Sequence, residues 1–220
     1  MYVYNTCMPR TRDSLAASLT RTAVVEEAAA LVASDGYDAL NMRDLAERFG
    51  VSPMTLYRHV RDKADLMAAL ADRMLEQLQI PAPGEDTWED ELVELFQNMH
   101  TLLVANPELT IVSVTQPIAG RAAYRGAEAT LDALRRGGIT GPAAVTAFGA
   151  LVAFTQGFAL QEIHTEARTH EQLGERLATL ETLPADEYPL IKAAGPAFLI
   201  RNTDDQFAGG VRALVRGLTS

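Results

Sequence analysis

Residues 41–63, NMRDLAERFGVSPMTLYRHVRDK, constrain the fold most tightly. They read as two short helices joined by a tight turn through Gly50 and Val51. Asn41 caps the first, and Asp44 follows three residues on, where a carboxylate favours the helix dipole. Leu45, Ala46 and Phe49 form its inner face, and Ala46 is small enough for the helices to cross closely. Gly50 permits the turn and Val51 plugs it. Ser52 caps the second helix and Pro53 takes its first position, where a missing N–H costs nothing. That helix is expected to run through His59, with Leu56 and Val60 pointing inward. The layout is a helix-turn-helix, whose second helix can enter a major groove.

The outward face of that helix offers Ser52, Pro53, Met54, Thr55, Tyr57, Arg58 and His59. Arg58 suits a bidentate bond to a guanine edge. Thr55 suits a phosphate or a thymine methyl, and Tyr57 reaches the backbone. Arg43 reaches a base or phosphate from the first short helix. Lys63, at the start of the next helix, is placed for a phosphate that the helix N-terminus also favours. The competing reading is a helical hairpin whose charges are simply solvated.

The rest of the chain also reads as helices, with no alternating strand pattern and no repeat, so the class is all-α. Thr20 to Ser34 forms a first helix with Val25, Ala28, Ala29 and Val32 at helical spacing and Leu31 widening the stripe. Residues 1–18 have no pattern and read as a loose arm. Asp62 caps a bridging helix in which Leu66, Leu70, Met74 and Leu78 recur every four residues. Pro81-Ala82-Pro83-Gly84 breaks the chain. The expected domains are therefore a DNA-binding unit with its bridging helix at 19–80 and a larger helical domain at 85–220. Thr87–Val104 is a helix with an acidic first turn. Pro107 opens a short helix, Pro117 and Gly120 break the chain, and residues 121–136 form a helix ended by Gly137-Gly138. Gly141-Pro142 opens a long helix to about His164. A loop region with Pro184 and Pro189 follows, and Thr203 caps a last helix carrying Phe207, Val211, Leu214 and Val215 on one face.

Charge separates the two parts. Of 19 Lys and Arg, 8 lie in residues 1–63, and of 29 Asp and Glu, 8 lie there, so the balance is zero. The whole net charge of −10 belongs to residues 64–220. A neutral front part can approach a polyanion while the acidic remainder stays away. From Gly137 to Gln161 no residue carries a formal charge, enough chain to span a bilayer. Its glycines, threonines and alanines favour a buried or subunit-interface helix instead, so no membrane partner is expected. With Cys7 alone, neither an internal disulfide nor a cysteine-based zinc site forms. No secretory pattern opens the chain, so a cytoplasmic location is expected.

The stretch resembles the tetracycline-repressor family of bacterial transcriptional regulators. The resemblance runs from about Leu19 to Leu78. It rests on the Gly36 turn, Met42-Arg43-Asp44-Leu45-Ala46, Phe49-Gly50-Val51, Thr55-Leu56-Tyr57-Arg58-His59-Val60 and Lys63. Beyond it, Trp88 after the Pro/Gly break and Phe207-Ala208-Gly209-Gly210-Val211-Arg212-Ala213-Leu214 resemble the founding repressor's branch. The resemblance implies a three-helix DNA-binding domain, a helical ligand-binding and dimerisation domain, and a homodimer bundled through the long uncharged helix and the last one. It places Asn41, Arg43, Pro53, Met54, Thr55, Tyr57, Arg58, His59 and Lys63 at positions that touch double-stranded DNA. Asn41 stands where Ser or Thr is common, and Arg58 replaces the founding member's tryptophan.

Phe96, Met99, His100 and Leu103 share one face of the helix after the break, and Phe154, Phe158 and Gln161 lie on the long helix. His100, Gln161 and Glu162 are the candidate polar contacts of a small-molecule inducer; the competing reading is core. Glu162, Glu166 and His170 with His164 imitate a metal cluster, but an exposed charged helix is the reading adopted, with no metal and no cofactor. Phosphate-loop, H-E-x-x-H and G-x-S-x-G motifs are missing, so no enzymatic activity is expected. The expected function is a ligand-responsive, homodimeric repressor released from a pseudo-palindromic operator by an inducer. The alternatives are a regulator whose ligand strengthens DNA binding, and a helical binding module without DNA.

Overall fold

The computed structural model describes residues 19–84, 87–115, 120–166, 170–199 and 204–218. The expected arm at 1–18, the Pro117 break and the Thr203 cap lie outside them, as do the side chains of Glu166 and His170. Among the described residues every regular element is a helix. The chain divides into two compact units between Ala71 and Asp72.

The first unit begins with α1 (Arg21–Asp35), capped by Thr20, whose hydroxyl accepts from the Ala23 N–H at 3.1 Å. Its buried stripe is Val24, Ala28 and Leu31. Val25, Ala29 and Val32, expected inside, are only partly buried. The helix is apolar around much of its girth, so spacing alone left its rotation one residue uncertain. A 3-10 turn at Tyr37–Ala39 leads to α2 (Met42–Arg48) and α3 (Pro53–Leu56). The Asn41 carboxamide accepts from the Asp44 N–H at 2.8 Å, and the Ser52 hydroxyl accepts from the Thr55 N–H at 3.3 Å. Gly50 takes φ +66°, and the bonds Gly50 N–H to Glu47 O (3.0 Å) and Val51 N–H to Ala46 O (3.1 Å) close a Schellman turn. The α-helical part of the second short helix ends at Leu56, earlier than expected. Beyond it, Arg58 and His59 donate to the carbonyls of Thr55 and Leu56 in tighter three-residue turns. Leu40, Leu45, Ala46, Phe49, Leu56 and Val60 are all at most 1% exposed, a closed core beneath the turn.

Helix α4 (Lys63–Leu75) starts in the first unit and ends in the second. Leu66, Leu70, Met74 and Leu78 are buried as the four-residue recurrence predicts, although Leu78 lies in the turns that follow the helix. The division falls inside α4, upstream of the Pro81–Gly84 break. Hydrogen bonding gives the reason. Asp65 serves Arg21 and Arg61, whereas Asp72 accepts from the Ala123 N–H at 2.9 Å.

The second unit holds α5 (Trp88–Val104), α6 (Pro107–Thr115), α7 (Arg121–Arg136), α8 (Gly141–Glu166), α9 (His170–Thr182), α10 (Pro189–Ala194) and α11 (Asp204–Leu218), with a 3-10 turn at Gly195–Phe198. Its core joins Leu92, Val93 and Phe96 of α5 to Ala133 and Leu134 of α7, Ala147 and Leu151 of α8, and Phe207, Val211 and Val215 of α11. Gly210 is a close-packing position: any side chain there would enter the Phe154 ring, so the glycine lets α11 close on α8. The region after α8 was expected to be loop; α9 and α10 occupy it. In α9, Leu173, Leu177 and Leu180 recur at helical spacing, but only Leu180 is buried, and so thin a stripe among polar residues resembles a loop in sequence. Helix α8 is long and apolar enough to cross a membrane, by length and composition. In this fold it buries one seam, Ala144, Ala147, Leu151, Thr155 and Ala159, within the second unit.

Candidate nucleic-acid interface and effector core

The turn from α2 to α3 presents its polar and large side chains outward. Asn41, Arg43, Ser52, Pro53, Met54, Tyr57, Arg58 and Lys63 are exposed, and Thr55 and His59 are partly so. Met54 is 76% exposed and Tyr57 42%. Leu56, between them, is fully buried. The alternation follows helical geometry: residues 53, 54, 57 and 58 share one face while 56 and 60 point to the core. Two hydroxyls on this surface are engaged locally, since Ser52 Oγ lies 3.0 Å from Thr55 Oγ1. Arg43 makes a long, exposed contact with Glu47 at 3.4 Å, which leaves its guanidinium easily recruited. The N-terminus of α4 is already occupied: the Asp62 carboxylate accepts from the Asp65 N–H at 2.7 Å. The helix-end attraction for a phosphate beside Lys63 is therefore neutralised by a resident carboxylate.

One carboxylate positions this surface, and the sequence reading did not find it. Asp65 accepts from both terminal nitrogens of Arg21, at 2.7 and 2.9 Å, and from the Arg61 N–H at 2.9 Å. Arg21 also donates to the His59 carbonyl at 3.3 Å. The start of α1, the end of the recognition segment and the first turn of α4 thus meet on one side chain, 9% exposed. The Arg21 guanidinium, hydrogen-bonded to it, holds the Asp65 carboxyl far below the usual carboxylate range, against the opposing effect of burial. A group whose folded pKa is depressed contributes stability above its unfolded pKa and loses it as pH falls toward the folded value. Asp65→Asn is expected to cost about 1–2 kcal/mol at pH 7, the half-exposed Arg21 being partly screened by solvent. Full-chain melting curves should show the gap to wild type narrowing as pH drops from about 4 toward 2, and a gap unchanged over that range would refute this role.

In the second unit, the candidate effector residues divide. His100, Phe154, Phe158 and Glu162 come together around Phe207. His100 stacks on Phe207 with centroids 4.5 Å apart and meets Phe158 edge-on at 5.4 Å. Phe154 and Phe158 lie 5.6 and 5.2 Å from the Phe207 ring. Glu162 Oε2 sits 3.0 Å from His100 Nε2, out of line for a hydrogen bond, so this buried ring nitrogen has a carboxylate neighbour but no hydrogen-bond acceptor. Phe96 and Leu103 are wholly core, and Met99 is partly buried against the same cluster. Gln161 is exposed. A surface cleft elsewhere in the unit, lined by Ile80, Pro83, Leu95, Asp132 and Arg136, includes none of these residues.

Three structural residues escaped the sequence reading. Glu91, read there as one of three acids at a helix start, is buried and paired to both terminal nitrogens of Arg136, and it accepts from the Gly84 N–H at 3.0 Å. The Arg136 guanidinium draws its carboxyl below the usual range. Asp72 caps the start of α7, and a side chain at Gly120 would occupy the space of its carboxylate. Arg125, in the second turn of α7, donates to the Glu76 and Leu78 carbonyls at 3.0 and 3.3 Å. These contacts tie α7 to the end of α4.

A capped helix-turn-helix with an exposed second helix, followed by a separate helical domain, defines a DNA-binding regulator architecture. Residues 24–70 match the family described as bacterial regulatory proteins, tetR family, and residues 80–220 match the tetracyclin repressor-like C-terminal domain. The chain is 33% identical over 199 residues to the class A tetracycline repressor protein from transposon 1721 of Escherichia coli, covering 89% of this chain and 88% of that protein. It is 29% identical over 215 residues to the transcriptional repressor DrrR1 of Streptomyces coeruleorubidus, covering 91% and 77%. Streptomyces coelicolor ActR, solved in complex with actinorhodin, superposes with a TM-score of 0.80 at 26% identity, covering 91% and 96%. The chain belongs to the tetR family of bacterial regulatory proteins. It is a DNA-binding transcriptional regulator.

Proposed function

We propose that this protein is a homodimeric repressor acting on chromosomal DNA in the cytoplasm, released from a pseudo-palindromic operator by a small organic inducer. The exposed face carrying Met54, Tyr57 and Arg58 over a sealed core is the observation that carries this reading. Each subunit sets residues 53–59 in a major groove. Arg58 reads a base edge, Tyr57, Ser52, Thr55 and His59 contact backbone or bases, and Asn41, Arg43 and Lys63 hold phosphates. Half-sites lie one helical turn apart, about 34–36 Å, or a multiple of it. The exposed apolar side of α8 pairs with its copy, and α11 completes the bundle, which gives the uncharged part of this 26-residue helix, up to Gln161, a buried second face.

The inducer meets His100, Glu162, Phe154 and Phe158, with Met99 at the margin, so that the aromatic cluster is the part of the second unit that responds. ActR is solved with actinorhodin, and the TetR-Q116A variant from Acinetobacter baumannii AYE with minocycline, which supports an organic inducer. Ligand entry displaces α7, and the Asp72 and Arg125 contacts carry that displacement to α4. A coupling of about 1–3 kcal/mol weakens DNA binding about 5–150-fold.

The test is fluorescence anisotropy of the full chain on a set of its own upstream DNA fragments at several salt concentrations. Tight binding of two subunits to one fragment is expected, with a steep salt slope, falling about a thousandfold or more between 50 and 200 mM if six or more phosphates are neutralised. Binding that is weak and blind to sequence on every fragment would reject operator recognition within that DNA. No binding at any salt would favour the helical small-molecule module instead.

A further inference from the structure

We infer that Met54 is a specificity residue that reads the 5-methyl group of thymine, so that each operator half-site carries a thymine opposite α3. The inference rests on the proposed placement of α3 in the major groove. A single exposed apolar side chain is ordinary on a protein surface. Met54 is not alone: Pro53 is exposed beside it, and Tyr57, one turn on, is 42% exposed. The three make an apolar patch on the segment's outward face, with the exposed Arg58 at its edge. The neighbouring Ser52 and Thr55 hydroxyls already engage each other at 3.0 Å, and Ser52 caps the helix, so neither competes freely for the spot that Met54 faces.

Base chemistry then narrows the partner. In the major groove each base pair presents hydrogen-bond donors and acceptors, and thymine alone adds an apolar group, its C5 methyl. A thioether side chain gains nothing from a donor or acceptor, and its desolvation against one is unfavourable. Methionine is also unbranched and adaptable, which suits a contact with a small methyl in a groove rather than a fixed socket. Arg58, on the same face, supplies the polar half of the readout. The half-site therefore combines a thymine facing Met54 with a guanine facing Arg58.

The experiment begins with selection of a 30-base-pair randomised duplex pool by the full-length protein. Enrichment of a pseudo-palindrome establishes the DNA-binding reading independently of what Met54 does. Each thymine of the half-site is then replaced by deoxyuridine, which removes only the methyl, and binding is measured by anisotropy for wild type and Met54→Ala. Circular dichroism confirms that the variant folds, as its 76% exposure predicts. At one thymine per half-site, loss of the methyl should weaken wild type about 4-fold, and about 16-fold when both half-sites are changed, the scale of one buried methyl group. Met54→Ala should lose about the same factor on thymine DNA and show no further loss on deoxyuridine DNA. Selection with Met54→Ala should relax the preference at that position alone. If Met54→Ala weakens thymine and deoxyuridine operators by equal factors, the methyl readout is overturned while operator recognition stands. A pool without enrichment rejects both.

Discussion

Phe207→Ala should lower the unfolding free energy of the full chain by about 3–5 kcal/mol, the cost of deleting a large buried aromatic and leaving its cavity. Phe207 is 1% exposed, and its ring touches those of His100, Phe154 and Phe158, so one side chain joins α11 to α5 and α8. Collapse into the vacated space is hindered on each side. His100 is packed between Phe207 and Phe158, with Glu162 beside it, and Phe154 already fills the room above Gly210. Urea unfolding followed by the single tryptophan, Trp88, which packs against the same core, measures the loss. Protein concentration must be held constant, since the proposed dimer would contribute to apparent stability. Leu190→Ala is the control: that side chain is 83% exposed, and its removal should change stability by about 0.5 kcal/mol or less. A Phe207→Ala loss as small as the Leu190→Ala change would show that the aromatic cluster does not hold the second unit together.

Arg58→Ala should weaken operator binding by about 1–3 kcal/mol per half-site, and by roughly twice that for a dimer engaging both. The residue is exposed, and its neighbour Leu56 is fully buried, so the truncation removes a reading group without opening the core. A base-reading arginine and a phosphate-holding lysine differ in how the loss is distributed. For Arg58→Ala the loss is concentrated on operators with the preferred base at one position, and operators altered at that position lose little more. For Lys63→Ala the loss is even across sequences, and the salt slope falls by about one. Anisotropy on an operator series at two salt concentrations separates the two patterns. An Arg58→Ala loss that is uniform over the series and reduces the salt slope would move Arg58 from base reading to backbone contact.

The two predictions differ in how far their residues were legible in the chain. The helix-turn-helix was written in local spacing. Thr20, Asn41, Ser52, Asp62 and Thr87 each bond a backbone N–H three residues on, and Gly50 turns the chain within two hydrogen bonds of itself. Such contacts need no knowledge of the rest of the molecule, which is why the caps, the turn and the exposed face of α3 could be read in order. Family resemblance added the same residues because it rests on the same short stretch.

The effector core was only half legible. Phe96, His100, Phe154 and Phe158 stood out by helical period, but nothing in the spacing says which rings meet. Phe207 and His100 stack across more than a hundred residues, Glu91 finds Arg136, and Asp72 finds the start of α7. In sequence, Glu91 was one of three acids at a helix start; only its full burial distinguishes it from the partly buried Glu89 and Asp90. Gln161 suffered the opposite error, since it shares a period with Phe154 and Phe158 yet sits on the exposed side of α8.

What the sequence determined by itself was therefore the class of the chain, the helix-turn-helix and the identity of its outward side chains, because caps, turns and helical period act over three to five residues. The tertiary structure decided the Asp65 junction, the Glu91–Arg136 pair, the tie between Asp72 and α7, and the aromatic cluster closed by Phe207. Those depend on helices distant in sequence being brought side by side, and that proximity is set by the packing of whole faces, to which no local spacing responds.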